Sequence, residues 1–338
     1  MAPQPAQPTQ PARRPAPTEP ETIAGPTGAT EPSGASGKPA RRGRPPASVA
    51  VASGTVAQML HFPGLEPQPA NPLADPARRS DVDEWGRSES ARRLARRLGG
   101  FYYRRWFRVE WEGLENIPTS GGALLVGNHA GAIPSDAPMI MHGVEEELGR
   151  PVYGLADNFF RTVPLVGTEW SRMGGVAAHP DNAHRILHDH QQLALVFPEG
   201  IKGPSKLASE RYQLRRFGRG GFVETAMRAG VPVIPIAVVG AEESMPILYR
   251  LPGIAKVLRL PYLPLTANHL VFGPVLGTVL YLPAKFRFRV LPPVQFDVAP
   301  RLPKYPRGRV MDEAEAIRQQ LQEALYDMLA HRRSVWFG

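Results

Sequence analysis

The sequence predicts an α/β fold, a mostly parallel sheet flanked by helices, behind a disordered N-terminal tail. Two observations predict it. From about residue 107 onward, short apolar runs alternate with segments whose apolar residues recur at three- and four-residue steps, the signature of an α/β layer fold. Before residue 77, by contrast, stand 17 of the chain's 38 prolines, mixed with Ala, Gly, Ser and Thr and almost no aromatic or branched apolar side chains. Such a stretch buries too little surface to offset its ordering entropy. Residues 82–338 are long enough for one α/β domain with a large core.

The elements follow in order. Residues 1–81 read as the Pro/Ala-rich tail. Residues 82–108 read as a basic amphipathic helix at a membrane surface: from Trp85 to Arg108 there are eight arginines and one acid, Glu89, so most of the chain's net charge of +9 is there. Ala91, Leu94, Ala95, Leu98 and Tyr102 recur at helical steps in that stretch, and an apolar side flanked by arginines suits anionic headgroups. Packing of the stripe onto the domain and phosphate binding to nucleic acid are the competing readings. No nucleic-acid motif accompanies the patch, and no nucleic-acid partner is expected. Beyond it, 107–112 and 123–127 read as strands and 136–148 as a helix with Ser135 as N-cap. Strands are expected at 152–155, 193–197, 231–239 and 286–296, and helices at 183–192 and 222–229. A long helix at 311–332 carries Ala314, Ile317, Leu321, Leu325 and Leu329 on one side.

Several function classes are excluded. The chain has no cysteine, which removes disulfides, thiolate metal sites and a thiol nucleophile. The first thirty residues hold no apolar stretch of the secretory kind, and no uninterrupted run of about 20 apolar residues is present, so a cytoplasmic chain without a simple membrane span is expected. The apolar run 262–283 is broken by prolines, Asn268 and His269, and reads as a surface-lying or re-entrant segment or as core. His184 and His188 have a metal-ligand spacing but lack a third ligand, and no metal is expected. Neither a Gly-x-Ser-x-Gly elbow nor a phosphate-binding or dinucleotide-binding glycine loop occurs.

The sharpest local feature runs from Gly127 to Asp136. It leaves a strand, turns through Gly131 and Pro134, and enters a helix. A histidine just past a strand end is placed for a cleft. If the turn folds back, Asp136 fixes the tautomer of His129 and leaves its other nitrogen as a general base. The same two residues also suit a turn cap and a helix-dipole partner.

Four ordered blocks carry a resemblance: Asn128-His129 with Asp136; Val196-Phe197-Pro198-Glu199-Gly200; Phe217-Gly218-Arg219-Gly220-Gly221-Phe222; and Val231-Pro232-Val233-Ile234-Pro235-Ile236. Together, over roughly residues 111–243, they resemble the glycerolipid acyltransferases. The resemblance implies that fold, and transfer of a fatty acyl group from acyl-CoA or acyl carrier protein to a lipid hydroxyl, with the donor as substrate and no further cofactor. It implies His129 as the base, Asp136 as its support, Asn128, Phe197, Pro198, Glu199, Gly200 and Lys202 around the acceptor, and Arg219 and Gly220 near the acyl donor or a phosphate. It assigns 109–338 as the acyltransferase domain.

Two departures bear on the acceptor. His129 and Asp136 are separated by six residues, more than in the family's commonest first block. Where phosphate-handling members carry an arginine, this chain reads Gly174-Gly175-Val176-Ala177-Ala178-His179-Pro180-Asp181-Asn182. Both look closer to the diacylglycerol and monoacylglycerol acyltransferases. The expected acceptor is 1-acylglycerol-3-phosphate or another lysophospholipid, and the two departures put a neutral acceptor such as diacylglycerol, monoacylglycerol or a long-chain alcohol on equal footing as the alternative, with a non-catalytic lipid-binding protein as the rival from another class. Arg250, Lys256, Arg259, Lys285 and Arg287 flank the apolar segment and suit phosphates or a solvated rim. Attachment as a peripheral or monotopic protein to the cytoplasmic face of the cell membrane is expected.

Overall fold

Ala123–Gly127 has no polar side chain and is buried along its whole length, as a strand is when both faces of its sheet are covered. It is the second strand, β2, of a sheet whose others are β1 (Glu110–Glu112), β3 (Val152–Ala156), β4 (Gly175–Ala177), β5 (Leu193–Val196) and β6 (Val233–Val239). A short antiparallel pair, β7 (Ile247–Arg250) and β8 (Pro264–Thr266), stands apart, and β9 (Arg287–Val290) returns to the main sheet. The computed structural model describes residues 81–157, 166–218, 220–257, 260, 262–302 and 304–338. Of the expected tail only Asp81 falls among these.

The main sheet has seven strands in the order β1-β9-β6-β2-β5-β3-β4. Every pairing is parallel except β6 with β9. The mostly parallel sheet expected from the sequence is therefore observed, and β9 is where it reverses. Alternation along β2 divides the core. Leu124 and Val126 pack with Val223 and Ala226 of one helix (Gly221–Ala229) and Ile317, Leu321 and Leu325 of another (Arg307–Ala330). Ala123 and Leu125 face the opposite layer, with Ile140 and Val144 from the helix Asp136–Leu148 and with Phe286 and Phe288. The C-terminal ends of β2, β5 and β6 open on one edge, the place where parallel sheets hold their ligands.

Helices are numbered α1 (Glu89–Phe101), α2 (Asp136–Leu148), α3 (Val166–Arg172), α4 (Pro180–His184), α5 (Gly221–Ala229), α6 (Ala267–Leu276) and α7 (Arg307–Ala330). Sequence periodicity missed α3, β4, α6 and the β7–β8 pair, which are short or broken by glycine and proline. The expected helix at 183–192 is a short α4 followed by a π-helical turn, Arg185–Asp189. The strand expected from 107 begins at Glu110, because Tyr102–Trp106 is a π-helical turn continuing α1. Ser135 precedes α2 without a side-chain cap, its hydroxyl bonding Ser244 Oγ at 3.1 Å instead.

Helix α1 is inside out. Arg92 is buried and meets Glu145 of α2, Arg96 Nη1 lies 2.8 Å from the same carboxylate, and Arg104 meets Glu146. Burial lowers the Arg92 guanidinium to about 9. The apolar stripe points away: Leu94, Leu98 and Phe101 are 61%, 64% and 52% exposed. Three arginines therefore converge on one helix of the domain while the leucines stay uncovered.

Gly240 links β6 to the loop that reaches β7. Its φ is 107°, and a Cβ there would stand 2.2 Å from the Lys285 carbonyl oxygen. Neither the backbone angle nor the contact tolerates a side chain, so Gly240→Ala is expected to destabilise the fold by roughly 2–4 kcal/mol, read as a lower urea midpoint with an unchanged slope.

Candidate active site

The site forms where β2 ends. Asn128 follows the strand and is fully buried, its amide spanning to β6: Nδ2 donates to the Val238 carbonyl at 3.0 Å and Oδ1 accepts the Val238 N–H at 2.7 Å. It continues the sheet through a side chain, and that fixes the start of the next loop. His129 comes next. The chain then turns through Gly131, at φ 82°, and α2 begins with Asp136.

This loop returns Asp136 to His129. Nδ1 of His129 lies 3.0 Å from Asp136 Oδ2. The same oxygen accepts the Ala130 N–H at 2.8 Å, and Oδ1 accepts the Ala137 N–H at 2.7 Å. Asp136 is fully buried, and His129 has a side chain 14% exposed. Because the carboxylate accepts at Nδ1, that nitrogen carries the ring proton. Nε2 makes no hydrogen bond with any described residue and is the free base of the pair.

Three groups hold the imidazole. The Phe197 ring stacks on it at 4.1 Å with a 14° interplanar angle. Glu199 Oε1 accepts the His129 backbone N–H at 3.1 Å, and Oε2 accepts the Arg215 N–H at 2.8 Å. Gly203 lies directly behind the residue: a Cβ there would be 2.7 Å from both His129 Cβ and its carbonyl oxygen.

The other expected residues divide. Phe197 and Glu199 stand beside His129, with Pro198 between them half-buried, and Gly200 exposed at the start of the 3₁₀ turn Gly200–Lys202. Lys202 is exposed next to Gly203. Gly220 is buried against α7, where a Cβ would be 2.7 Å from Val310 Cγ1. Arg219 lies outside the described residues. Of the flanking cations, Lys285 lies 2.5 Å from Glu110, Arg287 3.3 Å from Glu112 and Arg250 3.5 Å from Glu210; Lys256 is exposed and Arg259 lies outside the described residues. Among the described residues no cluster of His, Asp and Glu is arranged to hold a metal ion.

Sequence reasoning missed the group beneath Glu199. The Lys206 side chain is 2% exposed, with Nζ 3.6 Å from Glu199 Oε2 and 2.8 Å from Glu242 Oε1. Glu242 in turn accepts the Tyr212 N–H at 3.0 Å. No spacing announces this trio, since Glu199 and Lys206 come from the segment after β5 and Glu242 from the short helix Ala241–Ser244 after β6. Burial pushes the Glu242 carboxyl up to about 7, with Lys206 pulling the other way.

Comparisons place this geometry in a family. Residues 108–239 match the family model described as Acyltransferase. Uncharacterized protein Rv0502 of Mycobacterium tuberculosis is 38% identical over 263 residues, 76% of this chain and 72% of that one. A Bos taurus protein named DGAT1/2-independent enzyme synthesizing storage lipids is 27% identical over 192 residues, 57% of this chain and 54% of its own. The crystal structure of the 1-acyl-sn-glycerophosphate acyltransferase PlsC from Thermotoga maritima aligns at a TM-score of 0.46 and 20% identity, over 72% of this chain and 80% of that one. The chain belongs to the Acyltransferase family that this model describes. It is an acyltransferase.

The raised Glu242 carboxyl has a consequence for stability. Between its ordinary 4.5 and about 7 the folded protein binds more of this proton than the unfolded chain, so stability falls as pH rises through that window. Urea midpoints at about pH 5 and about pH 7.5 should differ in that sense, and Glu242→Gln should shrink the difference.

Proposed function

We propose that this protein transfers a fatty acyl group from an acyl thioester, acyl-CoA or acyl carrier protein, to a glycerolipid hydroxyl, with His129 as general base. The observation that carries the reading is the His129 imidazole itself, held at Nδ1 by a buried carboxylate 3.0 Å away while Nε2 is free. Nε2 takes the proton of the acceptor hydroxyl as its oxygen attacks the thioester carbonyl. The C–S bond then breaks, and the thiolate leaves with the proton from the imidazolium. Asp136 supports the positive charge between those steps. The thioester is already activated, so no covalent acyl-enzyme is required.

Two acceptor classes fit. Lys202, exposed beside Gly203 and so close to His129, suits the phosphate of 1-acylglycerol-3-phosphate or another lysophospholipid. A neutral hydroxyl, as in diacylglycerol, monoacylglycerol or a long-chain alcohol, is favoured by the absence of arginine from residues 174–182 and by the relative named for synthesizing storage lipids.

Both acceptors reside in bilayers, and the surface suits one. Leu270, Val271, Val275 and Leu276 of α6 are 74%, 61%, 77% and 54% exposed. Helix α6 bends at Gly273 and Pro274, and among the described residues no helix is long and apolar enough to cross a membrane. The exposed stripe of α1 leads toward the segment after α6: Trp106 Nε1 donates to the Tyr281 carbonyl at 3.0 Å, and the Tyr102 and Tyr281 rings are 6.1 Å apart. Arg93, Arg97 and Arg105 are exposed around that stripe. Burying each Leu or Val side chain is worth roughly 1.5–3 kcal/mol, so apolar contact with lipid tails, rimmed by arginines at anionic headgroups, supports peripheral or monotopic attachment. The cytoplasmic face of the cell membrane is the proposed location.

Incubation with radiolabelled long-chain acyl-CoA and a panel of lysophosphatidate, diacylglycerol, monoacylglycerol and fatty alcohol tests the chemistry. One acceptor should be labelled, and His129→Ala should lower that transfer by roughly 10²–10⁴-fold with an unchanged urea midpoint. Unlabelled acceptors with either thioester donor would leave a lipid-binding protein as the better account. For the surface, Leu98→Glu together with Val275→Glu should release the protein from sedimenting anionic vesicles; equal sedimentation of variant and wild type would refute the assignment.

A further inference from the structure

A concavity of about 410 Å³ lies between residues 211–213 ahead of α5, Glu243 in the segment leaving β6, and the end of α7. Its lining includes Arg211, Gln213, Glu243, Arg332, Arg333 and Ser334. The charges on this wall do not balance. Glu243 is its acid, and that carboxylate is already committed: Oε1 accepts from Arg332 Nη1 at 2.8 Å, and Oε2 meets the Tyr212 hydroxyl. Arg332 is locked in place, its side chain 5% exposed, with Nε donating to the Ser334 carbonyl at 3.2 Å and Nη2 to the Val335 carbonyl at 3.1 Å. Arg211 and Arg333 are exposed and have no ion pair or side-chain hydrogen bond with any described residue. Two guanidinium groups thus border one open pocket without a counter-charge, beside a third that forms part of its frame.

The floor is rigid. Tyr212 is a non-glycine residue at φ 61°, and its hydroxyl accepts the Gly240 N–H at 2.9 Å. Through its own N–H it reaches Glu242, Glu242 reaches Lys206, and Lys206 in turn reaches Glu199. The pocket wall and the His129 loop therefore share one buried framework.

We infer that the Arg211–Arg333 pocket binds a phosphate group. Guanidinium forks match phosphate oxygens in pairs, and the volume suits a phosphate together with the small polar body that carries it. On the acyl-transfer reading, on which the identity of the ligand rests, that phosphate belongs either to the nucleotide of a coenzyme A thioester or to a lipid headgroup. Lys202 is not among its lining residues, and the site draws on Arg332–Val335 after α7.

Calorimetric titration of the full chain with adenosine 3′,5′-bisphosphate, glycerol 3-phosphate and phosphate-free adenosine tests this. At least one of the two phosphate compounds should bind wild type, and adenosine should not bind comparably. Arg211→Gln and Arg333→Gln should each weaken binding about tenfold and the double variant about a hundredfold, with affinity falling as salt rises. Tighter binding of the bisphosphate assigns the pocket to the thioester donor, and tighter binding of glycerol 3-phosphate assigns it to a lipid. Absence of binding by either compound overturns the inference, as does equal binding by wild type and double variant. Circular dichroism checks that the variants fold, and the single variants carry the test if the double does not. His129→Ala should bind as wild type does, so a failure of the acyl-transfer reading leaves this measurement standing.

Discussion

One buried carboxylate, that of Glu199, organises the site end of the sheet. It receives the backbone N–H of His129 from the loop after β2 and that of Arg215 from the segment before α5, and Lys206 approaches it from below. Glu199 itself stands in the loop after β5. The loop after β2 and the long segment after β5 are therefore referred to the same two oxygen atoms. A carboxylate removed from water is tolerable only with such partners, and the partners are held where the carboxylate needs them. The imidazole inherits its position from this arrangement. Its orientation comes separately, from Asp136 at the ring nitrogen and Phe197 on the ring face.

The same economy of buried charge explains α1. A helix carrying four arginines and two leucines within Glu89–Phe101 would ordinarily place its leucines inward. Glu145 reverses this, because Arg92 and Arg96, together with Arg87 ahead of the helix, find their opposite charge there on α2. The apolar stripe is left outside by electrostatics rather than by any shortage of core. Near the other end of the same surface, the bend at Gly273 and Pro274 leaves the apolar side chains of α6 outward as well.

Much of the fold was legible because its signals are local. β2 and α2 lie where the apolar run and the helical spacing put them, and Ile317, Leu321 and Leu325 of α7 are buried as their spacing demands. The four motif blocks directed attention to His129, Asp136, Phe197 and Glu199, which the fold brings together. The reading faltered where the cause is tertiary. The apolar spacing of α1 does not reveal which face an acid on another helix will claim. Lys206 looks like any surface lysine in the sequence, and only closure of the loop over Glu199 and Glu242 buries it. Asn128 adjoins the histidine in the motif, yet both ends of its amide are spent on Val238. In the sequence that adjacency cannot be told from a contact with substrate.

The packing around His129 also limits the trajectory of whatever meets it. Phe197 lies flat on one face of the ring, the Gly203 backbone presses on the residue from behind, and Asp136 occupies the edge at Nδ1. Within the proposed chemistry an incoming hydroxyl is left an in-plane path along the Nε2 lone pair. A nucleophile confined to one path meets the trigonal carbon of a seated thioester from one side. The tetrahedral centre that results then has a single handedness, set by how the thioester is seated relative to an imidazole that Asp136 and Phe197 hold in one orientation.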